Sequence, residues 1–200
     1  MAENGRSSLK WKNRLKIAND IAYAVIYMHT AFSTPIINRD LKPSIIILDQ
    51  SGVAKLLDSS SSLSIPSGET QVKSLVIGTF EFIDPEHLIT GFLTERSDVY
   101  SFGIILVQLL IGKRTSNMKG IKRTSNMKGS ENYPQLINTH VKDYVDKDKL
   151  IAVVDPRILK EIGGIEQEQQ LQAVAALALG CTQMKKEDRP EMIEVAKRLR

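Results

Sequence analysis

The chain has 200 residues, 42% of them hydrophobic and 25% charged, with a formal net charge of +4. That length can bury the core of one domain, and the composition excludes disordered, collagen-like and disulfide-scaffold classes. The single cysteine, Cys181, leaves no internal disulfide framework.

Residues 1–8 carry no apolar core of a signal peptide and read as a disordered N-terminus. Ala2 in place of Gly excludes N-myristoylation. From Trp11 to Thr30, Leu15, Ala18, Ala22, Val25, Ile26 and His29 recur at helical spacing and predict an amphipathic helix. Two short apolar runs, 45–48 and 53–57, flank the turn Gln50-Ser51-Gly52 and predict a β-hairpin. Residues 59–68, rich in Ser, Pro and Gly, are expected to form a mobile loop. Val99 to Ile111 is apolar nearly all round, which predicts a buried helix. The most apolar stretch, Ile104 to Ile111, is interrupted by Gln108 and is far too short to cross a bilayer. Two more helices are predicted at 171–183 and 191–200. Cys181 lies in an apolar run and reads as a buried small hydrophobe rather than a nucleophile.

Lys113-Arg114-Thr115-Ser116-Asn117-Met118-Lys119-Gly120 recurs at 122–129. Two copies do not make a solenoid, so this reads as a duplication in a surface loop. It has six basic residues and no aromatic for base stacking, so nucleic acid is not an expected partner.

Several motifs carry more specific information. Ile37-Asn38-Arg39-Asp40-Leu41-Lys42-Pro43-Ser44-Ile45 is followed by Leu56-Leu57-Asp58-Ser59-Ser60, then by Gly78-Thr79-Phe80-Glu81-Phe82-Ile83-Asp84-Pro85-Glu86. Ser97-Asp98-Val99-Tyr100-Ser101-Phe102-Gly103 and Asp188-Arg189-Pro190-Glu191-Met192 complete the series. In order and spacing these resemble the C-terminal lobe of a plant receptor-like kinase, from about residue 9 to the end. Met28-His29-Thr30-Ala31-Phe32-Ser33-Thr34-Pro35 and Ile65-Pro66-Ser67-Gly68-Glu69-Thr70 sharpen the likeness. They are similar to wall-associated-kinase-like proteins and to the receptor-like cytoplasmic pseudokinases that serve as adaptors for NLR immune receptors.

The resemblance implies a protein-kinase-like fold, mainly α, with a small β-hairpin and with the N-terminal lobe missing. No Gly-rich phosphate loop, strand Lys or partner Glu is found. It assigns 9–200 to the C-terminal lobe, 58–86 to an activation segment and 113–130 to a duplicated basic insert. By the same likeness Asp40 matches the catalytic base, while Lys42 and Thr79 match contacts to the transferred phosphate and the substrate hydroxyl. Asp58 matches a Mg²⁺ ligand, weak when alone. Ile45 stands where the second Mg²⁺ ligand, an Asn, is expected, and its side chain has no lone pair for a hard cation. Asn38 replaces a His, and Ser59 a Phe, that stack between kinase lobes. Arg39 and Ser74 match a phosphate-binding Arg and the phosphosite it would hold. Glu86 and Arg189 match a structural ion pair, and Asp98 a residue that holds the catalytic-loop backbone. Asp40 remains open to two readings, catalytic base or polar loop residue, and Ile45 favours the second.

The function these substitutions imply is a catalytically inactive pseudokinase fragment acting as a protein-interaction adaptor. Its partners would be a receptor-like kinase or an NLR immune receptor. Two alternatives stand: residual Ser/Thr kinase activity if an N-terminal lobe is supplied, or a truncated product without function. No cofactor is expected, and Mg-ATP enters only with the enzyme alternative. The expected location is the cytoplasm, with the plasma membrane reached only through partners.

Overall fold

The computed structural model describes residues 9–112, 150–151 and 153–200. Residues 1–8 and the duplicated segment 113–130 therefore lie outside the described residues.

Helix α1 (Trp11–Thr30) has no Gly or Pro to interrupt it. Lys10 offers no side-chain cap. Glu161 instead accepts from the Trp11 backbone N–H at 2.8 Å, and Gln170 accepts from the indole N–H at 2.9 Å. One face of α1 is buried through Ile17, Ala18, Ile21, Ala22 and Val25, while Leu15 and Ile26 are only partly covered.

The chain then forms a set of two-stranded pairings. Strand β1 (Ile36–Ile37) pairs antiparallel with β4 (Leu63–Ser64), in register Ile36 to Ser64. Strands β2 (Ile46–Leu48) and β3 (Ala54–Leu56) form the expected hairpin, Ile47 opposite Lys55. Its turn is closed by Asp49, whose Oδ1 accepts from the N–H groups of Ser51 and Val53. The Lys55 ammonium beside Asp49, with those N–H groups, holds its carboxyl down at about 2. Asp20 of α1 accepts from Ala54 N–H at 3.0 Å and so docks the hairpin on the helix. Strand β5 (Val72–Lys73) pairs with β6 (Phe92–Leu93).

The expectation of a mobile loop at 59–68 is corrected by β4. Ile65 is buried with Ile37 and Leu93 in a small satellite core, and its N–H donates to Pro35 O at 2.9 Å. One apolar anchor plus a two-residue ladder fixes a segment whose composition alone reads as free.

Short helix α2 (Pro85–Thr90) precedes the buried central helix α3 (Glu95–Ile111). Thirteen of the residues of α3 are buried, so it is surrounded on all sides. Helices α4 (Pro156–Glu161), α5 (Ile165–Cys181) and α6 (Met192–Arg198) complete the described chain. The main core joins α1, α3, α5 and α6 through residues such as Val25, Phe102, Ile104, Leu106, Leu177 and Val195.

Two short helices share one local logic. Asp84 and Asp155 each precede a Pro at the first helical position and accept from the backbone N–H two residues on. Each cap is also the partner of a buried guanidinium. Arg14 Nη2 reaches Asp155 Oδ2 at 2.5 Å, and Arg157 approaches the same carboxylate from outside at 2.8 Å. These hydrogen bonds hold the Asp155 carboxyl well below the usual range despite its burial.

Gly103 of α3 packs directly against the C-terminal end of α5. A Cβ there would lie 2.7 Å from both Cys181 Cβ and Thr182 Cγ2. Gly103→Ala is expected to destabilise the chain by about 1–3 kcal/mol through this overpacking, read as a lower urea midpoint at unchanged slope. Burial pushes the Cys181 thiol up to about 12. The folded chain should therefore leave Ellman's reagent untouched at pH 8 and react with one equivalent only in denaturant. Prompt reaction of the native chain would contradict that burial.

Candidate functional site

The site is built on residues 38–45, between α1 and α3. Its anchor is Asp98 in the first turn of α3, a carboxylate that is fully buried. Asp98 accepts from Asn38 N–H at 2.9 Å and from Arg39 N–H at 3.2 Å. It also lies 3.0 Å from His29 Nε2 on the last turn of α1. A buried carboxylate with three donors is satisfied and fixes what it holds.

The loop it holds is conformationally costly. Arg39 sits at φ +70°, the left-handed region that side chains with a Cβ seldom occupy. The bonds from Asp98 keep it there. Segment 58–86 comes down onto this point at Gly78, whose φ is +134°. A Cβ on Gly78 would lie 2.7 Å from Arg39 O, so only glycine permits the contact.

That approach brings Asp40, Lys42 and Thr79 together. Asp40 Oδ1 accepts from Thr79 N–H at 2.7 Å. Lys42 Nζ donates to Asp40 Oδ2 and, at 2.8 Å, to Thr79 Oγ1. A cleft of about 210 Å³ opens beside them, with Glu81 and Gln108 in its wall. The arrangement pairs a carboxylate with an ammonium next to a hydroxyl, a geometry that can bind and orient a polar group.

The residues on the other side of the loop are placed differently. Ile45 ends the 3₁₀ turn Pro43–Ile45 and its side chain belongs to the main core. Asp58 is exposed, and its Oδ1 accepts from Ser60 N–H at 2.7 Å. Hydrogen bonds from the Ser60 backbone N–H and hydroxyl, aided by the Lys42 charge, lower the Asp58 carboxyl from its usual range against the opposing desolvation.

Arg39 Nη2 donates to Leu75 O at 3.0 Å, which ties the loop to 58–86. Ser74 is next along; its Oγ donates to Leu75 O and its N–H to Gly91 O, both at 2.9 Å. Arg39 and Ser74 thus converge on one carbonyl.

The expected Glu86–Arg189 pair is corrected. Arg189 Nη2 reaches Asp84 Oδ1 at 2.6 Å, and its other N–H groups go to the carbonyls of Gln183, Met184 and Arg96. The guanidinium also lies over the Tyr100 ring at 5.1 Å. Glu86 instead accepts from Lys186, at 2.8 Å from the backbone N–H and 3.2 Å from Nζ. A fully buried guanidinium needs a buried carboxylate, and the Asp84 side chain is 3% exposed where that of Glu86 is 24% exposed.

Sequence reasoning also missed His29, Gly78 and the Arg14–Asp155 pair. His29 looked like one more member of an apolar stripe. The Asp-Pro dipeptides at 84–85 and 155–156 were a legible cap signal for both short helices.

Residues 3–198 match the protein kinase domain. The chain is 43% identical over 98% of its length to "Serine/threonine-protein kinase ZRK1" of Arabidopsis thaliana, covering 54% of that protein. It is 38% identical over 96% of its length to "Non-functional pseudokinase ZED1" of the same plant, covering 56% of it. Similarity to "Wall-associated receptor kinase 3", also from Arabidopsis thaliana, is 36% over 96% of the chain and 24% of that protein. The chain therefore belongs to the protein kinase family, in its plant receptor-like kinase branch. It spans about half the length of the first two relatives.

The family implies Mg-ATP, and the described residues do not fit it. Two Mg²⁺ ions between phosphates need hard oxygen ligands from both motifs. Here one position is a core isoleucine and the other a single exposed carboxylate already bonded to its own turn. No group of three or more His, Cys, Asp or Glu side chains among the described residues could hold a metal. Among the same residues, no helix is long and apolar enough to cross a membrane.

Asp98→Ala is expected to cost roughly 3–5 kcal/mol in urea unfolding, because it strands three buried donors. Asp98→Asn keeps one acceptor and should cost less. A loss below about 1 kcal/mol for the alanine variant would mean that the carboxylate does not organise the loop.

Proposed function

We propose that this chain is the C-terminal lobe of a kinase-like protein, with 58–86 as its activation segment, and that it acts as a catalytically inactive adaptor. Its partners would be a receptor-like kinase or an NLR immune receptor in plant signalling. The observation that carries the reading is Ile45: where phosphotransfer needs a second metal ligand, this chain has a side chain packed in the core. The resemblance to a relative named a non-functional pseudokinase supports it. Leu75, Val76 and Ile77, consecutive and exposed in 58–86, give such an adaptor an apolar contact strip.

A second reading has its own support. Asp40, Lys42 and Thr79 are assembled into one hydrogen-bonded group, and a relative is named a Ser/Thr-protein kinase. That reading is residual Ser/Thr kinase activity with Mg-ATP, once an N-terminal lobe is supplied.

The two separate in one set of measurements. On the adaptor reading, millimolar Mg-ATP leaves the melting temperature unchanged, since a ligand that binds the native state would raise it. Transfer of ³²P to a protein substrate then stays at the level of Asp40→Ala, and the chain co-purifies with a receptor-like kinase or NLR domain. Transfer that disappears in Asp40→Ala would establish the enzyme reading.

A further inference from the structure

A cavity of about 180 Å³ opens where the last turns of α1, the first turn of α3 and the start of α6 meet. All its walls come from these three helices, which share the main core. Ile26, Val99 and Met192 give it an apolar interior, and the last two are themselves buried. At about 30 Å³ for each water-sized group, the cavity holds roughly six heavy atoms. That is the size of one side chain rather than of a drug-like ligand.

Its polar wall sets two acceptors against each other. His29 lines the cavity with a side chain only 5% exposed. Its Nε2 lies 3.0 Å from Asp98 Oδ2. An ionised carboxylate only accepts, so Nε2 carries the ring proton. In the neutral ring Nδ1 is then left with its lone pair. Glu95 Oε1 stands 3.8 Å from Nδ1, too far for a hydrogen bond between the two. Two acceptors at this spacing are best served by one donor shared between them.

Charge points the same way. Arg96 and Glu191 of the lining pair with each other at 3.0 Å, which joins α3 to α6. Glu95 has no Lys or Arg partner among the described residues; His29 alone stands within ion-pair range. The cavity thus combines an apolar interior with one carboxylate that no cation balances. We propose that it binds a primary alkylammonium group, with the N–H donors shared between His29 Nδ1 and Glu95 and the carbon chain laid against Ile26, Val99 and Met192. An ammonium puts three donors on one compact atom, whereas a guanidinium spreads its donors over a wider fork. A free amine and a lysine side chain carry this same group, and the test separates them. The inference rests on neither reading of the Asp40 group.

The test titrates n-butylammonium into the full chain at pH 8, with NMR following the imidazole nitrogens of His29, one of three histidines. Saturable shifts with a millimolar Kd are expected, and n-butanol, of the same length without the charge, should bind at least about tenfold more weakly. Glu95→Gln, at a half-exposed position, should weaken butylammonium by about the same factor. Ile193→Trp, which narrows the mouth from α6, should abolish binding. Urea unfolding checks that both variants fold; if either does not, the comparison with n-butanol on the unaltered chain decides. Lysine capped at both ends is the second ligand: affinity equal to that of butylammonium makes a lysine side chain the natural occupant, and a loss of tenfold or more makes it a free amine. No saturable shift, equal affinity for butanol, or undiminished binding to Glu95→Gln would overturn the proposal. So would a His29 ring that carries protons on both nitrogens at pH 8, since the ring itself would then donate to Glu95.

Discussion

Asp98 is buried completely, and yet it is the point at which α1, residues 38–39 and α3 are joined. Its carboxylate takes two backbone N–H groups of the loop and faces His29 of α1. Because these donors have no water to turn to, the loop has one low-energy placement. The left-handed Arg39 follows from that placement, and the contact of Gly78 with Arg39 O follows from Arg39. Only then do Asp40, Lys42 and Thr79 reach one another. A single buried acceptor thus sets the geometry of a site assembled from segments about forty residues apart in sequence.

The two sides of residues 38–45 obey different constraints. On the side of Thr79, charged and hydroxyl groups satisfy each other at the surface, where such bonds tolerate solvent. On the side of Ile45, the side chain is packed into the main core. A core residue gains from burial whatever happens above it. The polar group and the packed isoleucine are therefore both stable outcomes of one loop, without requiring one common purpose.

Buried guanidiniums form the second framework. Arg14 and Arg189 each lie against an aspartate that caps a short helix begun by proline. Burying such charges costs several kcal/mol unless every donor is used. Arg189 meets this with one carboxylate, three carbonyls and the face of Tyr100. The ends of α2 and α4 are thereby fixed to the core, and with α2 the end of segment 58–86.

Much of this was legible in the chain itself. The spacing of apolar residues marks α1 and α3, the turn at 50–52 marks the hairpin, and the motif order marks the kinase family. These signals are local: each depends on residues a few positions apart, where helical and strand periods act directly. The sequence also fixed the identity of Ile45 and hence the missing lone pair. Tertiary structure alone decided that Arg189 pairs with Asp84 rather than Glu86, because it buries the Asp84 carboxylate and leaves that of Glu86 partly exposed. It alone placed Ile65 in a satellite core and made a strand of 63–64. It alone set the His29 ring opposite Glu95 in the wall of a cavity. Such outcomes depend on which distant segments close over a group and exclude water from it, and no local pattern records that.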